Sequence, residues 1–166
     1  MSARADSAKV DSLTTHIDPF SLKAAARAAI VMPAVFGFAD GVIGDPNTTL
    51  FSAFGSFAFL VLADFGGPWR TRLVAYLSLA AAGAILITVG TLCSETPWLA
   101  VAAMGVFGFV ILFSGAISGY FAAGGFAALL LFILPVAIPS SASAIPERLE
   151  GWALAAAVGI CAVMLI

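Results

Sequence analysis

Long apolar runs with no charged side chain at their centres are the feature that most narrows what this chain can fold into. SLKAAARAAIVMPAVFGF, TTLFSAFGSFAFLVLA and LVAYLSLAAAGAILITVGTL follow one another with short punctuated joins, and three more runs lie beyond them. Of the 166 residues, 62% are hydrophobic and 10% charged, against about 25% charge in an ordinary soluble domain. A chain this short has too little polar side chain to cover so much apolar material, so lipid must solvate much of its surface. The runs show no alternation of period two and leave no polar lumen face, which sets a membrane barrel aside. The expected fold class is all-α, a polytopic transmembrane helical bundle.

Read for span length, the chain divides into six apolar segments, at about 21–38, 47–63, 72–92, 97–113, 117–138 and 148–166. Pro33 lies inside the first and is expected to loosen a turn there. The stretch 97–138 could be a single helix, but 42 residues would reach about 63 Å, twice the hydrocarbon thickness, so a break near Ser114 to Ser118 is expected. Residues 1–20 read as a cytosolic tail of small polar and charged residues, and 21–166 as a six-helix membrane domain. With the N-terminus inside, six crossings place Arg4, Lys9, Lys23, Arg27, Arg70 and Arg72 on the cytosolic side and Arg148 outside. That basic bias supports a multi-pass topology with the N-terminus inside. The apolar ending AVMLI, with no charged or aromatic belt behind it, leads to the expectation that the domain is truncated at its C-terminus.

Asp64, followed by FGGPWRTR, is the strongest local feature. The carboxylate ends an apolar segment, and Gly66, Gly67 and Pro68 form a turn that returns Arg70 and Arg72 to the same headgroup layer. Two readings fit. One is an interface anchor with Asp64 paired to an arginine; the other is a charged cytosolic mouth, Asp64, Arg70 and Arg72, that attracts a small organic anion. In ADGVIGDPNTT, Asp45 or Asn47 can cap the second helix, or the helix start can point its dipole at an anion. Small residues, among them Ser52, Gly55 and Ser56, Gly105 and Gly108, Gly115 and Gly119, and Gly124 and Gly125, mark places where helices can approach closely. A pathway between those helices would offer Ser52, Ser56, Thr88, Ser118 and Tyr120 as hydrogen-bonding groups. Phe51, Phe54, Phe57 and Phe59 read as contacts to lipid and neighbouring helices.

Several function classes find no support. The sequence contains no HExxH, GxSxG or P-loop motif and no pair of carboxylates within a span, so no enzyme and no cofactor is expected. Cys93 and Cys161 have no CxxC context, and the lone histidine, His16, has no ligand partner, so no metal is expected. Seven basic and nine acidic side chains offer no nucleic-acid surface.

LKAAARAAI at the opening of the first helix, FSAFGSFAFLVLADFGGPWRTRL joining the second and third, and GAILITVGTL closing the third resemble the N-terminal membrane domain of the fusaric acid resistance (FUSC) and aromatic acid exporter-like proteins. The resemblance covers about Ser21 to Ile166. It departs from the family early in the third helix, where Arg72 is followed by LVAYLSLAAAG and the GT pair comes only at Gly90 and Thr91. It implies efflux of organic or aromatic anions by a multi-pass protein of the bacterial inner membrane. It also implies that this unit works with a C-terminal cytosolic domain and a second membrane unit, or as a homo-oligomer. The alternative is a non-transporting membrane scaffold that positions a cytosolic domain during envelope assembly.

Overall fold

The structure, a computed structural model, describes residues 19–165. His16, Arg4, Lys9 and most of the expected cytosolic tail lie outside the described residues, as does the side chain of Tyr120. Six helices form an all-α bundle: α1 Pro19–Phe38, α2 Pro46–Phe57, α3 Trp69–Ser94, α4 Pro97–Ile117, α5 Gly119–Ala137 and α6 Ile145–Leu165. Both α1 and α2 run on into a wider π turn, Ala39–Ile43 and Ala58–Leu62.

The expectation of six membrane spans does not survive. Among the described residues, four stretches are long and apolar enough to cross a membrane: Leu22–Ile43, Trp69–Ser94, Pro97–Ile117 and Ala142–Leu165. The other two apolar helices, Pro46–Leu62 and Phe121–Ala137, are shorter. A helix of about 17 residues reaches about 25 Å, less than the roughly 30 Å of hydrocarbon. Local chemistry explains why they stop early. Gly44, at φ 72°, ends the first π turn, and its N–H bonds Ala39 O at 2.9 Å. Pro46 then supplies the first position of α2, and the Asp45 carboxylate caps it by accepting from Thr48 N–H at 2.8 Å. The chain turns extended at Ala63, and α3 begins only after Pro68. On the other side of the bundle, α4 and α5 are separated at Ser118, whose φ of −146° and ψ of 131° belong to no helix. The break within 97–138 therefore falls where length required one.

Helix α2 is the most enclosed element, wedged between α1 and α6. Its approach to α6 is close enough to require glycine. A Cβ on Gly151 would collide with the carbonyl oxygen of Thr48, and one on Gly55 would come within 2.6 Å of Ala155 Cβ. Between these backbones lies the aromatic core: Trp152 stacks on Phe59 at 4.8 Å, and its indole N–H donates to Ala80 O at 2.8 Å. Helix α4 lies outermost, with Trp98, Val101, Val106, Phe109 and Leu112 all turned outward. With no water in the hydrocarbon layer, that surface is suited to lipid. The chain is a multi-pass helical membrane protein embedded in the bilayer.

Candidate functional site: a cationic recess at one end of the bundle

Lys23 and Arg27 lie in the second and third turns of α1, and Arg72 lies in the first turn of α3. The bundle brings these helix starts together around a recess of about 270 Å³, completed by Asp64, Tyr76 and the Leu60–Ala63 end of α2. Three of the seven basic residues in an acidic chain of net charge −2 thus share one cavity with a single carboxylate. The sequence-predicted trio divides here. Asp64 and Arg72 line the recess, whereas Arg70 is exposed, with its guanidinium 5.4 Å from the Trp69 ring. Lys23 and Arg27, read from the sequence only as interface anchors, take its place.

The donors of the recess are incompletely used. Arg72 Nη2 donates to Val163 O at 3.2 Å, which ties α3 to the end of α6. Its Nε, like that of Arg27, is shielded from solvent and has no hydrogen-bond partner. A buried donor left unmade costs about 1–3 kcal/mol, so these two groups favour any acceptor that enters. Tyr76 forms the floor. It is 2% exposed, its hydroxyl donates to Ala63 O at 3.0 Å, and it sits within electrostatic reach of Arg27, Arg72 and Asp64. The hydroxyl therefore fixes the extended segment that carries Asp64.

The predicted pathway residues lie elsewhere. Ser52 and Ser56 are fully enclosed on α2, and their hydroxyls donate to Thr49 O and Ala53 O, at 2.8 and 2.9 Å. Thr88 turns back on its own helix in the same way, toward Ala84 O. None of these three, nor Ser118, lines the recess. Of the small residues, Gly55 packs closely on α6 and Gly124 on the Phe65 ring, whereas Gly105, Gly108 and Gly119 face open space.

At the far end of α3 the structure shows a polar centre that sequence reasoning missed. Arg148 has no exposed surface. Its Nη1 donates to Thr91 Oγ1 at 3.0 Å, its Nη2 to Ile138 O at 2.7 Å and its Nε, at a longer 3.4 Å, to Asn47 Oδ1. The guanidinium also lies 5.0 Å from the centre of the Phe51 ring. Thr48 Oγ1 adds a bond to Glu147 O, so the starts of α2 and α6 are tied twice. The available signal was a pair of neutral polar residues, Asn47 and Thr91, at the ends of two apolar segments.

Comparison with family models, with curated proteins and with solved structures returned no match for this chain.

Proposed function

We propose that this chain is the membrane domain of an exporter that moves small organic or aromatic anions across the bacterial inner membrane, with the recess as its cytosolic mouth. The observation that carries this reading is the excess of three basic side chains over one carboxylate around a cavity bordered by two arginines whose buried Nε groups have no hydrogen-bond partner. An anion entering there gains charge-assisted hydrogen bonds without first displacing an internal acceptor. The side of the membrane follows from the basic residues. Lys23, Arg27, Arg70 and Arg72 gather near the starts of α1 and α3, while Arg148 lies at the opposite end, the distribution expected when the recess faces the cytosol. The resemblance read from FSAFGSFAFLVLADFGGPWRTRL to aromatic acid exporters would imply the same direction of transport.

The test is flux of benzoate by the full chain in sealed liposomes. Arg27→Gln and Arg72→Gln, each verified as folded, are expected to lower it at least tenfold. Unchanged flux in both variants removes the recess from the mechanism. A wild-type protein that moves no anion but retains a specific cytosolic partner favours the scaffold instead.

A further inference from the structure

A second cavity, of about 370 Å³, runs between α3, α4 and α5, within the roughly 300–1,000 Å³ typical of small-molecule sites. Leu79, Ile85, Phe107, Ile111 and Ala128 give it an almost wholly apolar wall. Its two hydroxyls, on Ser78 and Ser114, are already committed to Val74 O and Ile111 O within their own helices. Nothing in this groove calls for a polar ligand.

Groove and recess are lined by neighbouring residues. Phe65 lines the groove, and its chain neighbour Asp64 lines the recess. The Phe65 ring meets Tyr76 edge-on, with centroids 5.0 Å apart and planes at 89°, so the wall between the two cavities is a pair of aromatic rings. The same ring fills a notch on α5 that exists because residue 124 is glycine; a Cβ there would come within 3.0 Å of Phe65 Cζ. Phe65 sits on the non-helical join between α2 and α3, outside both helices. Helix α3 serves both cavities, with Arg72 and Tyr76 on the recess face and Ala75, Leu79 and Leu86 on the adjoining groove face. From Ala75 to Leu86 the groove follows α3 for about 16 Å.

We propose that recess and groove form one binding site for a single-chain anionic amphiphile, a carboxylate on a long alkyl tail, with Phe65 as the partition its tail passes. This rests on the anion reading of the recess given above. The order of polarity carries the assignment: Lys23, Arg27 and Arg72 around the recess, then a long apolar wall along α3 from Ala75 to Leu86. A cationic headgroup would meet three like charges. A short anion would leave the groove empty.

A dodecanoate analogue with a diazirine near its tail end tests the proposal on the full chain in phosphatidylcholine nanodiscs, with adducts mapped by mass spectrometry. Saturable labelling of α3 and α4 at the groove is expected, and dodecanoate should displace it at least tenfold better than hexanoate or dodecyltrimethylammonium. Ala82→Phe and Ser78→Phe, two exposed positions on the groove, should each lower that labelling at least fivefold. Val101→Phe, on the outward face of α4, should not change it. Labelling that does not saturate, or that falls equally on the outward face of α4, overturns the proposal. So does displacement by hexanoate as effective as by dodecanoate, or stronger displacement by the two-chain phosphatidylglycerol. Those failures would leave benzoate flux, and its dependence on Arg27 and Arg72, intact; loss of that dependence would instead remove the anion reading itself.

Discussion

The two polar ends of this bundle use arginine in opposite ways. At the far end Arg148 is sealed, and its guanidinium is bonded to Thr91 of α3, Ile138 after α5 and Asn47 of α2. All three acceptors are neutral. At the near end Arg27 and Arg72 border an open recess with Lys23 and Asp64, and each keeps an unpartnered Nε. An arginine whose donors are taken up by the fold holds helices together, whereas one with unused donors beside a cavity is available to a ligand. The difference lies in the surroundings rather than the residue type, and it can be tested one side chain at a time.

The largest effect is expected at the sealed end. Arg148→Met keeps the length of the side chain but leaves Ile138 O and Asn47 Oδ1 without their donor. A loss of about 3 kcal/mol of stability is expected, read as a shift in the unfolding midpoint in mixed micelles. Arg70→Gln, outside both centres, should change stability by less than about 0.5 kcal/mol. Equal stability of the two variants would show that the Arg148 cage does not hold the helices. Thr91→Val tests the same cage more gently, since it leaves one Nη1 bond unmade, for about 1–2 kcal/mol.

At the open end, Tyr76→Phe removes the bond to Ala63 O and should cost about 1 kcal/mol. Because that bond fixes the segment carrying Asp64 and Phe65, faster amide exchange over 63–68 is the discriminating measurement. Exchange unchanged from wild type would show that the aromatic wall, rather than the hydroxyl, holds the segment.

How much of this was legible in the sequence depends on how far apart the partners lie. The Asp64 turn was readable because Gly66, Gly67, Pro68 and Arg72 all fall within one short stretch. Its real companions, Lys23 and Arg27, lie some forty residues earlier in a different helix, and no local pattern joins them to it. The cage around Arg148 was missed for the same reason. PERLEG resembles an ordinary charged loop, and only packing reveals that Thr91, 57 positions away, closes over it. The count of spans failed on helix ends. Hydropathy reports that 47–63 and 117–138 are apolar, but Gly44, Ala63, Ser118 and the prolines decide how many of those residues a helix can use. The hydroxyls of Ser52, Ser56 and Thr88 looked like pathway groups because sequence shows a polar atom without showing that its own helix already satisfies it.

The smallest effect separates a charge that attracts from a charge that gates. Asp64 is exposed at the edge of the recess it shares with the arginines, so it opposes an incoming anion mainly through the solvent. A unit charge at about 7 Å in water is worth about 0.6 kcal/mol, close to threefold in affinity. Asp64→Asn should therefore tighten benzoate binding two- to threefold at low salt, measured by titration of the full chain in nanodiscs. Near 1 M salt, where screening acts within about 3 Å, the gain should vanish. Loss of binding in Asp64→Asn would mean that the carboxylate organises Arg27 and Arg72 in the bound state. The open end would then resemble the sealed one, with a cation held by the fold and not free for a ligand.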